Sequence, residues 1–381
     1  MSPSSLSKAA LFAALLVVIF VISWESYIRS TGFEISFDDG GPLWSHQRDR
    51  VYGPMDKTTV FIGSSRIKFD LDIPTWDKIT GNQAVQLACV GSTPRPQLSD
   101  LANDPKFKGR VVVDVTEGLF FSLNPGNAFR PNEAIKYHTK ITPTQRVGFE
   151  LNIPLESTFA FLDKDHYSLN TMLDNLQIPS REGVHMGPIF ARDFGYVRFD
   201  RQEYCGKLFM ADTAQQHLQA NIWAGFGRMN KKPPISGPPL DSILNLVKFD
   251  VDKIKAKGGD VFFVRTPSSG GFLEKELMGF PREKYWDRIL ATTGCKGIYF
   301  KDYPQIDHYV CPEESHLSPS DAIDFTTKFI DILRTDYGWT FPWHHFALTF
   351  ILSVAELSTQ QLSLSHSLTL SLPWSSTPTP S

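Results

Sequence analysis

The chain has no surplus of positive charge: 38 lysines and arginines stand against 41 aspartates and glutamates, a formal net charge of −3. Proteins that bind nucleic acid do so by neutralising phosphates with a basic face, so nucleic acid is not an expected partner. Cysteine is scarce as well. The four, Cys89, Cys205, Cys295 and Cys311, show no Cys-x-x-Cys spacing. Neither a structural zinc site nor a dithiol redox motif is therefore expected, and no metal or cofactor is called for. Side-chain charge is missing entirely from Ala9 to Trp24, and after Asp336 Glu356 alone among the acids, lysines and arginines supplies one.

The first uncharged run is made of Ala, Leu, Phe, Val and Ile, and with Leu6, Ser7 and Tyr27 it reaches the length needed to cross a bilayer, about 17 to 25 residues. A cleaved signal peptide would have a shorter apolar region ending in a small-residue site. No Ala-x-Ala follows here, and Trp24 and Tyr27 suit an interfacial aromatic anchor instead. Residues 1–30 therefore read as an uncleaved signal anchor. Lys8 precedes the span, while Glu25, Glu34, Asp38 and Asp39 follow it. This bias places the amino terminus in the cytoplasm and the main domain in a periplasmic or extracellular space. In such a compartment Cys295 and Cys311, which flank a strand-like segment, are expected to form a disulfide bracing the loop between them and the last helix.

Residues 31–340 form the expected folded domain. Strand-like runs occur at Thr59 to Ile62, Ala84 to Val90, Arg110 to Val115, Asp260 to Arg265 and Gly297 to Phe300, each rich in Val, Ile or Phe and bounded by turn formers. Continuous apolar runs suit a parallel sheet covered on both faces. Helical periodicity follows at Asp241 to Lys257, with Ile243, Leu244, Leu246, Val247, Phe249, Val251 and Ile254, and at Ser318 to Tyr337, opened by Ser318-Pro319. The alternation predicts an α/β fold: a flavodoxin-like, doubly wound parallel sheet of about five strands. Residues 122–237 break the rhythm with Asn124-Pro125-Gly126-Asn127 and a proline-rich stretch from Pro233 to Pro239. They are too long for a bare loop and read as an inserted, partly helical cap after the third strand. Residues 341–381 read as a low-complexity, disordered tail.

Two segments can carry chemistry. In Thr59-Val60-Phe61-Ile62-Gly63-Ser64-Ser65-Arg66 a buried strand stops at small hydroxyl residues, at the sheet edge where open α/β folds place their sites. In Glu313-Glu314-Ser315-His316-Leu317-Ser318-Pro319 a carboxylate stands three residues before a histidine. A serine hydroxyl is a poor nucleophile until a base takes its proton, and a carboxylate holds the imidazole in the tautomer that can do so.

In these segments, and in order from Thr59 to Tyr337, the chain resembles the SGNH (GDSL-like) hydrolase superfamily. Gly63-Ser64-Ser65 matches its Gly-Asp-Ser block and implies Ser65 as nucleophile. Gly91 matches the second-block glycine, whose N–H, with that of Ser65, forms the oxyanion hole. Glu313-x-x-His316 matches the Asp-x-x-His block, with Glu for Asp. The third block, usually Gly-x-Asn-Asp, is here Asp114-Val115-Thr116-Glu117-Gly118, without the Asn that donates to the oxyanion. Losing such a donor costs about 100- to 1000-fold in turnover, so either the Ser65 and Gly91 N–H groups with a nearby donor such as Arg66 suffice, or the site is weakened. Divergent members of the family in envelope polysaccharide O-acylation also lack the full set. Arg66, Arg265 and Glu117 are further candidates for substrate binding. With the N-terminal anchor, the resemblance implies a membrane-anchored esterase or O-acyltransferase acting on an acylated carbohydrate or small ester, above all O-acetyl groups of an envelope glycan. A non-catalytic envelope protein keeping the same fold for glycan binding or assembly is the alternative.

Overall fold

The computed structural model describes residues 3–174, 176, 190–229 and 233–341. Of the expected disordered tail, residues 341–381, Phe341 is described and is buried in the core against Trp76, which corrects the boundary; the rest lies outside the described residues.

Among the described residues seven strands form: β1 (Thr58–Ile62), β2 (Gln83–Gln86), β3 (Arg110–Asp114), β4 (Tyr196–Val197), β5 (Glu203–Tyr204), β6 (Asp260–Arg265) and β7 (Gly297–Tyr299). Five make one sheet in the order β2-β1-β3-β6-β7, every neighbouring pair parallel, while β4 and β5 form a separate antiparallel ribbon. The apolar runs explain the arrangement, because all five residues of β1 and the last five of β6 are buried, as strands covered on both faces must be. Helices Arg95–Asn103, Pro238–Ala256 and Trp286–Thr293 pack together as one covering group, and Ser65–Asp70, Ile73–Thr80 and Pro319–Thr335 as another.

The expected strands stand within a residue of their observed bounds, except β2. The run to Val90 stays beside β1, with Leu87 N–H donating to Phe61 and Cys89 N–H to Gly63. Its outer carbonyls are taken by side chains: Arg201 donates to Gln86 and Ala88, and Trp44 to Leu87. Ladder geometry therefore ends at Gln86. In helix Pro238–Ala256 the buried stripe is Leu240, Ile243, Leu244, Val247, Val251 and Ile254, whereas Leu246 and Phe249 face outward.

The disulfide expectation is corrected. All four cysteines are free and buried. Cys295 precedes β7 beside Thr293, and Cys311 lies beyond its other end, where its N–H donates to Ser269 after β6. A three-residue strand alone spans roughly 10 Å, beyond the ~7 Å that a bridge tolerates between Cα atoms.

The apolar run forms one helix, Pro3–Ser30, of which Ser5–Ser30 is long and apolar enough to cross a membrane, with mean hydropathy 2.5. Its base is seated on the domain. Ile28 is buried with Phe33, Ala160 and Tyr196, Glu25 accepts from Ala160 and Phe161 N–H at 3.0 and 3.3 Å, and Arg29 donates to the Thr158 carbonyl. Within residues 122–237 lie helices Phe129–Lys140, Pro143–Glu156 and Thr213–Met229 and the β4–β5 ribbon.

Candidate active site

From β1 the chain runs outward to β2 and then returns across β1 to β3, so strand order reverses between β1 and β3. Such a reversal opens a crevice at the carboxyl ends of the strands, and Gly63-Ser64-Ser65 occupies it. Gly63 is required there: a Cβ would fall 2.5 Å from the Ile67 side chain and 2.7 Å from Asp114 Cβ.

The two serines that follow are not equivalent. Ser64 caps helix Ser65–Asp70 and is buried at 1% exposure. Its Oγ lies 2.6 Å from Thr116 Oγ1, which in turn donates to Asp114 at 3.1 Å. Ser65 is half-buried, and its hydroxyl makes no hydrogen bond among the described residues. Thr116 stands in the third block, where the resemblance implies a donating Asn, but its hydroxyl is committed to this relay. Ser65 N–H, as a first-turn amide, has no partner within its helix, and neither it nor Gly91 N–H donates among the described residues. Gly91 adopts φ +62 with open space where a side chain would stand, a conformation suited to glycine.

His316 lies against the helix that Ser65 begins. Arg66 donates to Ser315 at 3.4 Å, and Leu317 N–H donates to Asp70 at 3.0 Å, so the residues on both sides of His316 are tied to that helix. Phe69 places its ring 4.4 Å from the imidazole. Phe69 and Ser65 are four residues apart and share one helix face, the face on which the Phe69 ring meets His316.

Glu313 orients the ring. Its Oε1 lies 2.9 Å from His316 Nδ1 and accepts from His316 N–H at 2.7 Å. Its other oxygen accepts from Trp223 Nε1. Glu314 takes a left-handed conformation at φ +74 and its carboxylate accepts from Phe272 N–H, pinning the loop to helix Gly270–Gly279. His316 Nε2 is buried and makes no hydrogen bond, to Ser65 or to anything else described.

Arg66, Arg265 and Glu117 are brought together, but below the surface and in one network through Glu276. Arg66 and Arg265 each donate to a different Glu276 oxygen at 2.6 Å, and Arg265 also reaches Glu117 at 3.2 Å. Burial drives the Glu276 carboxyl upward, but Arg66 and Arg265 together hold it below its ordinary range. For Glu117 and Asp114, burial wins against the nearby guanidinium groups and both are raised. Arg66 Nη1 and Glu117 Oε2 are buried without partners.

Sequence reasoning missed Trp223, Glu276 and Asp70. Asp70 is fully buried; burial pushes its carboxyl up to about 7 against the pull of Leu317 N–H and His316. Only Asp70, at the end of the helix that Ser65 opens, had a local signal. Among the described residues no cluster of histidine, cysteine or carboxylates could hold a metal ion. No family model matches the chain, and no curated protein matches it.

Proposed function

We propose that the protein is a membrane-anchored, extracytoplasmic serine esterase or O-acyltransferase of SGNH type, acting on acyl esters such as the O-acetyl groups of an envelope glycan. In this reading the sheet is doubly wound and flavodoxin-like, and residues 122–237 form a cap inserted over it. The observation that carries the proposal is the seating of the Glu313–His316 pair against the helix that Ser65 opens, through Arg66, Phe69 and Asp70.

Ser65 Oγ attacks the acyl carbonyl while its proton passes to His316 Nε2. Glu313, bonded at Nδ1, fixes the tautomer that leaves Nε2 free to accept and stabilises the imidazolium that results. Ser65 and Gly91 N–H groups supply the oxyanion donors. When the C–O bond to the alcohol breaks, His316 returns the proton to the leaving oxygen, and Ser65 holds the acyl group. Water or a sugar hydroxyl then attacks the acyl-serine, with His316 again removing the proton. For Ser65 and Nε2 to meet, the imidazole, now closed beneath Phe69, Phe194 and Trp223, turns or shifts toward the hydroxyl.

The buried, unpaired Nε2 favours a second reading, a non-catalytic glycan-binding or assembly module on the same fold. Turnover of p-nitrophenyl acetate by the full chain in detergent separates the two. The esterase reading expects release that Ser65→Ala and His316→Ala each abolish; release absent from folded protein, or indifferent to both changes, leaves the second.

A further inference from the structure

A cavity of about 470 Å³ opens at the Cys89-Val90 end of the run that continues β2, and nothing in the esterase mechanism uses it. Its size falls among small-molecule pockets, roughly 300 to 1,000 Å³. Cys89 and Val90 form part of its wall. They directly precede Gly91, and Cys89 N–H donates to Gly63 at 3.2 Å, so this wall is tied to the turn that carries Ser65.

The remaining walls have a definite chemistry. Phe129 and Tyr137 contribute aromatic surface, Trp44 closes the floor at 1% exposure, and Arg130 and Lys140 reach in from helix Phe129–Lys140. The charges around the cavity divide into satisfied and unsatisfied. Arg201 is bound by Asp39 at 2.5 Å, and Lys136 by Glu133 at 3.0 Å. Arg130 and Lys140 have no hydrogen-bond or ion-pair partner among the described residues. The pocket therefore offers two unneutralised cations over aromatic walls. A pyranose ring lays its C–H face on an aromatic side chain, and a carboxylate on that ring answers a guanidinium or ammonium with charge-assisted hydrogen bonds.

We infer that this cavity is a subsite for an acidic saccharide, holding a carboxylated sugar of a glycan chain whose acylated unit is presented at Ser65. The presentation to Ser65 rests on the esterase reading; the binding itself does not.

The test is calorimetric titration of the full chain in detergent micelles at low salt. The probes are tri-galacturonate and the corresponding galactose trisaccharide, which has CH₂OH in place of each carboxylate. The expected result is about tenfold or tighter binding of the acid, consistent with one or two charge-assisted contacts, with the preference lost in the Arg130→Gln/Lys140→Gln double variant. Both positions are exposed, so the variant keeps its melting temperature. Absence of acid binding, equal binding of the two trisaccharides, or an unchanged preference in the double variant overturns the inference. If the wild type binds the acid selectively but never turns over the ester, the esterase reading fails while the subsite stands.

Discussion

Adjacent serines at the end of β1 show how much one position decides. Ser64 is spent: its hydroxyl caps a helix and enters a buried relay through Thr116 to Asp114. Ser65, one residue on, keeps its hydroxyl uncommitted and shares a helix face with the ring that lies on His316. In the proposed esterase, Glu313 does for His316 what a carboxylate does in a catalytic triad, so Glu313→Gln should lower ester turnover on the order of 10⁴-fold by favouring the wrong tautomer. Steady-state kinetics against p-nitrophenyl acetate reads this directly, and a loss under tenfold would remove Glu313 from the orienting role. Asp70 gives a prediction in pH. Its carboxyl is raised to about 7 in the folded protein from an ordinary 3.8, so between those values the native state holds a proton that the unfolded chain has shed. Stability from this residue is intact below about pH 4 and declines as pH rises to about 7, by on the order of 4 kcal/mol in all. Asp70→Asn keeps an oxygen to accept from Leu317 and removes the ionisation. Its urea midpoint should exceed that of the wild type at pH 8 and converge with it near pH 4; parallel curves would contradict the assignment.

Among the elements, the helix Ser65–Asp70 and the loop Glu313–His316 are joined by few bonds, and beneath them lies the Arg66–Glu276–Arg265–Glu117 network. Glu276 is its hinge, since one carboxylate serves two buried guanidinium groups. Removing one partner of a buried pair leaves an uncompensated charge and costs about 3 to 5 kcal/mol, so Glu276→Gln should lower the unfolding free energy by that amount in equilibrium denaturation. A change below 1 kcal/mol would mean that water already screens the pair. The same elements show what the sequence made legible. β1, β3 and β6 could be read because a strand buried on both faces has to be apolar along its length. β2 was read too long because its last carbonyls are claimed by Arg201 and Trp44, which come from elsewhere in the chain. Ser65, Glu313 and His316 could be read because each sits in a short local motif. Trp223, which donates to Glu313, and Glu276, which gathers Arg66 and Arg265, could not, because each acts across a long stretch of chain with no periodic signal.

At the scale of the molecule, the apolar helix and the domain are built as one piece at their junction. Glu25, Ile28 and Arg29 hold the helix base against Thr158, Ala160 and Phe161, which fixes the direction in which the apolar helix leaves the domain. A chain beginning at residue 24 should leave the membrane pellet for the soluble fraction on centrifugation and keep its melting temperature. A chain beginning at residue 31 loses buried Ile28 and should be less stable by about 1.5 to 3 kcal/mol; equal melting of the two would show that the docking contributes nothing. The strand-order reversal, the uncommitted Ser65 hydroxyl and the histidine seated against its helix all bear on one claim, that Ser65 is a nucleophile activated by His316. Labelling of the folded full chain with a fluorophosphonate, followed by peptide mapping, tests it most directly. A covalent adduct on Ser65 that vanishes in both Ser65→Ala and His316→Ala is the predicted result, and folded wild-type protein that takes up no label at Ser65 would contradict it.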